Sequence, residues 1–111
     1  MHSEIESQLA AMIDRERAER EQEYCADELS LCDLCAVNLA GERFVIDGGV
    51  TNTRQAILPS GETMSQWAYM CSRCFVTRGQ GIRWGQGQLY EQIFPGRWLR
   101  VAGGPIGAED E

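Results

Sequence analysis

Four of the five cysteines fall into two identical spacings, Cys32-Asp33-Leu34-Cys35 and Cys71-Ser72-Arg73-Cys74, with 35 residues between the pairs. A two-residue spacer lets both thiolates of a pair turn toward one tetrahedral ion, and two such pairs complete a four-sulfur site for zinc. The expected metal ligands are therefore Cys32, Cys35, Cys71 and Cys74, and the expected cofactor is zinc. Four sulfurs leave no position open for water or substrate, so such an ion is a scaffold and not a Lewis acid. A redox dithiol reading requires one C-x-x-C inside a thioredoxin-like βαβ pattern, which this chain lacks. The fifth cysteine, Cys25, reads as a packed thiol.

The residues that are missing close most catalytic routes. All ten basic residues are Arg, so P-loop, Schiff-base and Ser-Lys chemistry are excluded. The sole His is His2, at the extreme N-terminus, which removes catalytic triads, Cys-His pairs and His-ligated zinc hydrolases. The Gly79–Gly87 run has neither the G-x-G-x-x-G spacing nor a following Lys-Ser/Thr, so it is no phosphate cradle. It reads as a turn-rich connection packed against the zinc site. The expectation is a protein that is not an enzyme.

The elements that must hold these cysteines differ along the chain. With 111 residues there is room for one domain and little more. Residues 1–30 carry nine acids and three Arg; residues 70–102 carry five Arg against Glu91 alone. The spacing predicts a single helix over 4–23, opened by a capping box from Ser3 to Glu6. Ile5, Leu9, Met12 and Ile13 form its short apolar face, and Glu16 and Glu19 lie on its charged half. Arg15/Glu19, Glu16/Arg20 and Arg17/Glu21 are its i,i+4 pairs.

Beyond Cys32 the texture becomes short apolar runs between turn residues. A strand is expected at Arg43–Ile46, stopped by Asp47-Gly48-Gly49, and another at Gln55–Leu58. Gln66–Met70 leads into Cys71, and Leu89–Phe94 with Arg97–Val101 flank a Pro95-Gly96 hairpin turn. The fold class is α+β: an N-terminal helix followed by a small four-cysteine zinc-ribbon or treble-clef-like β-rich domain. The expected division is 1–30 acidic amphipathic helix, 31–104 zinc-binding domain and 105–111 mobile acidic tail. In a treble clef, Cys71 and Cys74 would open a short helix ending at Gly79.

The blocks Phe44-Val45-Ile46-Asp47-Gly48, Trp67–Cys74 and Gly79-Gln80-Gly81 through Gly85–Tyr90 occur in an order that resembles small zinc-ribbon-type proteins encoded by phages and prophages. The resemblance covers residues 32–104 and leaves out the acidic helix. That family has no assigned activity, so the resemblance implies a phage origin and a metal site. Phe75 and Arg83 depart from its pattern.

Two functions from different classes fit this reading. One is a phage-type protein that binds a protein partner, blocking a host defence or a nucleic-acid-handling machine. Its N-terminal helix (Ile5, Leu9, Met12, Ile13, Glu16, Glu19) would be the interaction element, for a partner or for a homodimer. The other is a small nucleic-acid-binding zinc module using Arg78, Arg83, Trp84, Arg97 and Arg100. A net charge of −7 disfavours unassisted duplex binding. No apolar run approaches the roughly 20 residues of a membrane span, and the N-terminus lacks a secretory core segment. The expected location is the cytoplasm of a bacterial host cell, where five cysteines stay reduced.

Overall fold

The computed structural model describes residues 2–50, 56–57, 63–64 and 67–104. Two helices, α1 (His2–Ala10) and α2 (Arg15–Glu21), precede strand β1 (Phe44–Gly49). Two short strands, β2 (Ala56–Ile57) and β3 (Thr63–Met64), pair with each other, and β4 (Trp67–Cys71) leads directly into α3 (Ser72–Arg78). Strands β5 (Gly87–Phe94) and β6 (Arg97–Ala102) close the fold. The main sheet is antiparallel throughout, in the order β4-β1-β5-β6.

The helix expected over 4–23 is two helices. Asp14 ends the continuity: its carboxylate caps α2 by accepting the Arg17 N–H at 3.1 Å, and its own N–H donates to the Val101 carbonyl at 2.9 Å. A side chain that prefers a cap, and a docking bond to β6, outweigh the propensity of the charged run. The first helix begins at His2, which places Ser3 inside it and not at the expected capping box. Of the three expected i,i+4 pairs, Arg17–Glu21 forms at 3.1 Å. Arg15 turns away to Glu91 on β5, at 2.9 Å.

The acidic segment contributes side chains to the core. Leu9 and Ala18 are buried in one core with Phe44, Ile46, Met70, Leu89, Trp98 and Val101, while Met12 is exposed. The chain after α2 then runs along the outer edge of β6. The Arg100 N–H donates to the Glu23 carbonyl and the Cys25 N–H to the Trp98 carbonyl, which covers that edge.

Strand β1 does not stop at Asp47-Gly48-Gly49; it continues through them. Gly48 pairs with Gly87 on β5, and a Cβ on Gly48 would lie 2.9 Å from the Gly87 Cα. The glycines are strand positions where two backbones approach closely, and not turn residues. The 79–87 run is strapped to this far end of β1, with the Gly49 N–H bonded to Gln86 O and the Gln80 N–H to Gly49 O. Val45, beside Cys71, lies four residues back, so the run sits about 13 Å along the strand from the cysteines and not against them.

The β5–β6 hairpin forms as expected, turning at Gly96 in the left-handed region, φ +78. Within the expected 55–58 strand, β2 holds Ala56–Ile57; its flanks and the 105–111 tail lie outside the described residues.

Candidate metal centre

Each cysteine pair is presented by a different device. Cys32 and Cys35 sit on a tight loop closed by a Leu31–Asn38 bridge, with the Cys32 N–H on Val37 O and the Ala36 N–H on Cys32 O, both 2.9 Å. Ala36 takes a left-handed conformation (φ 63) that turns the chain there. Cys71 is the last residue of β4 and the N-cap of α3, and Cys74 lies in the first turn of that helix. Strand pairing of Cys71 with Val45 fixes this second pair on the sheet. Asp33 clamps the loop to it: the Asp33 N–H donates to Tyr69 O at 2.9 Å, and its carboxylate accepts the Tyr69 N–H at 2.8 Å. That reciprocal contact also covers the free edge of β4.

The four sulfurs of Cys32, Cys35, Cys71 and Cys74 all lie within 4.8 Å of one another, and Cys35 Sγ is 3.7 Å from Cys71 Sγ. A tetrahedron with metal–sulfur bonds of 2.3 Å has sulfur–sulfur edges of about 3.8 Å. The donor set therefore fits a metal ion, and all five cysteines are free thiols. Cys25 stands outside the group; its Sγ faces the Tyr69 hydroxyl at 3.7 Å.

The electrostatics favour thiolate at one ligand first. Burial pushes the Cys32 thiol up, but N–H groups of Cys71, Cys35 and Leu34 aimed at its sulfur outweigh this and bring it down to about 7. The Cys71 and Leu34 N–H groups lie 3.3 and 3.4 Å from that sulfur. Burial raises Cys71 and Cys74. A bound dication would reverse that, since a coordinating thiol is deprotonated outright. Cys32 and Cys71 are buried, Cys74 is half-buried and Cys35 faces solvent.

An acidic wall stands beside Tyr69, whose hydroxyl donates to Asp27 at 2.6 Å. On β1, burial and then repulsion from Asp27 and Asp33 raise the Asp47 carboxyl above the ordinary range. The fold therefore disfavours ionised Asp47. That penalty is absent below the unfolded pKa of about 3.9 and grows as pH rises through the higher folded value. Asp47→Asn is expected to raise the urea midpoint at pH 8, with the gain disappearing as pH falls through the folded pKa toward the unfolded value of about 3.9. A gain that is constant with pH, or a loss, would contradict the assignment.

The expected basic residues do not share a surface. Arg100 has a side chain only 14% exposed and bonds Glu21 at 3.3 Å, inside the α2–β6 interface. Arg83 and Trp84 are exposed near Gly87, whereas Arg97 sits at the turn end of the same hairpin, about 20 Å away along β5. Arg78 is half-buried at the end of α3. In the N-terminal set, Ile5 and Ile13 are half-buried against the core and Glu16 and Glu19 are exposed. Sequence alone assigns Asp14 and Asp33 no role and puts Glu91 on a solvated face, whereas Glu91 is buried and paired with Arg15 and Arg43. Asp14 alone carried a local signal, as a capping residue ahead of a charged helical run.

No protein family, curated protein or solved structure is matched by this chain. No helix among the described residues is long and apolar enough to cross a membrane.

Proposed function

We propose that Cys32, Cys35, Cys71 and Cys74 hold one structural zinc ion, and that the protein is a non-catalytic interaction protein acting on a protein partner. The observation that carries the metal reading is the set of four sulfurs at the spacing of a tetrahedral thiolate site. Zinc is favoured because it takes four thiolates without redox chemistry and without further ligands. One pair on a tight loop and the other on a strand end and the first helical turn supports a treble-clef-like arrangement over a zinc ribbon.

The non-catalytic reading rests on the chain's own chemistry: a closed metal, no Lys, and a single His at position 2. The resemblance to phage-encoded zinc-ribbon proteins supports a partner in a bacterial host, bound in the reducing cytoplasm. Because the N-terminal helices pack into the core, the partner would meet their exposed acidic side (Glu16, Glu19) and not their apolar face.

Elemental analysis of the purified protein is expected to give about one zinc per chain. Cobalt exchanged into the site should show the absorption of a tetrahedral thiolate centre. Affinity capture from host extract should yield a protein that re-forms the complex when both are pure, weakened by Glu16→Arg with Glu19→Arg. Metal-free folded protein would defeat the zinc reading. A complex with a pure partner that ignores charge reversal would defeat the acidic-surface reading, and metal-dependent nicking of plasmid DNA would defeat the non-catalytic one.

A further inference from the structure

The turn end of the β5–β6 hairpin carries cationic and aromatic groups that an acidic chain would not suggest. Phe94 is 65% exposed and shares a shallow depression of about 410 Å³ with Arg43 and the buried Glu42. Across the turn Phe94 pairs with Arg97, whose guanidinium lies 4.5 Å from the centroid of the Tyr24 ring. Arg43 stacks 4.8 Å from the Phe44 centroid and donates to Glu91 Oε2 at 3.1 Å, while Arg15 donates to Oε1 at 2.9 Å.

Charge is segregated by depth. The side chains of Arg15 and Arg43 are 48% and 45% exposed, and Arg97 is exposed, whereas Glu42 and Glu91 are each 8% exposed. One buried carboxylate thus serves two surface guanidiniums, and among the described residues Arg97 makes no ion pair. Arg15, Arg43 and Arg97 against Glu42 and Glu91 leave this end slightly positive. With a screening length of about 8 Å at physiological salt, a ligand here meets that local balance, guanidiniums outermost, more than the net −7.

We propose that this hairpin end binds single-stranded nucleic acid, with a base stacked on Phe94 and neighbouring phosphates on Arg97, Arg43 and Arg15. An exposed ring offers the sequence-tolerant stacking face that unpaired bases use, and guanidinium is the donor suited to phosphate. The three Arg are already held by rings or a carboxylate, so less side-chain freedom is lost on binding. Duplex is excluded as the main ligand, because its bases are not free to stack and three cations recover little counterion release. This surface is independent of the zinc and protein-partner readings.

The test is fluorescence anisotropy of a labelled single-stranded 12-nucleotide DNA with the full chain. Saturable binding is expected at about 50 mM salt, weakening about 20-fold at 200 mM if three phosphates are contacted. Phe94→Ala should weaken it about ten-fold, Phe94→Trp should retain it, and Arg97→Ala should weaken it and flatten the salt dependence. Trp84→Ala, at the far end of the sheet, should change nothing. Absence of binding at low salt overturns the proposal. So does unchanged affinity in both Phe94→Ala and Arg97→Ala. A poly-glutamate peptide that competes as well as the oligonucleotide would also overturn it, since the surface would then read charge without stacking. Circular dichroism and metal content of each variant keep a folding defect distinct from lost binding.

Discussion

Stripping the metal with a strong chelator is expected to unfold the protein, with loss of its β-sheet circular dichroism and recovery on adding zinc back. Structural zinc contributes on the order of 10 kcal/mol in small domains, and a domain of this length has about 5–15 kcal/mol in total. The site is where the 31–38 loop, β4 and α3 meet, so removing the ion leaves thiols packed with nothing to draw them together. The four ligands are not equivalent. Cys71→Ser replaces a fully buried sulfur at the strand–helix junction and should abolish folding, whereas Cys35→Ser alters a solvent-facing ligand and should leave a weakened, metal-exchanging protein. Thermal unfolding with and without chelator checks both. Unfolding curves that coincide would remove zinc from the account of stability.

Deleting residues 1–27, so that the chain starts at Glu28, is expected to be nearly as severe. The deletion removes buried Leu9 and Ala18, half-buried Ile5 and Ile13, and the bonds from Glu23 and Cys25 that cover the edge of β6. Burial of those apolar side chains is worth about 5 kcal/mol, a large share of the whole. It also exposes a bare strand edge and strands Glu91 with one guanidinium fewer. The shortened protein should aggregate or remain unfolded even with zinc present. Leu9→Ala, a milder change, should cost about 2–5 kcal/mol by chemical denaturation. A shortened chain that folds with full zinc would show the N-terminal segment to be separable after all.

Much of the site was legible from spacing. Two C-x-x-C pairs mark out the four sulfurs that cluster, because the two-residue spacer is a local geometric requirement, independent of the rest of the fold. The hairpin at Pro95-Gly96 was equally readable, since turn chemistry and strand alternation act over a few residues. The helix from Ser72 to Arg78, ending at Gly79, was expected only on the condition of a treble clef, and not from local rules.

What the amino-acid order determined, then, was which four sulfurs come together and where the hairpin turns. Tertiary structure alone decided where charges and glycines went. Gly48 and Gly49 look like a turn until Gly87 is brought against them, and only the pairing of β1 with β5 does that. Arg15 has a partner four residues away on its own helix, yet it bonds Glu91, 76 residues distant, because that carboxylate is buried and needs the charge more. Asp14 splits the helix because β6 offers its N–H a carbonyl. Arg43 and Arg97, far apart in the chain, flank β5 at one end of the hairpin, while Arg83 lies at the other. Local rules fix what satisfies a group within a few residues; burial decides among distant partners, and burial exists only once the sheet has formed.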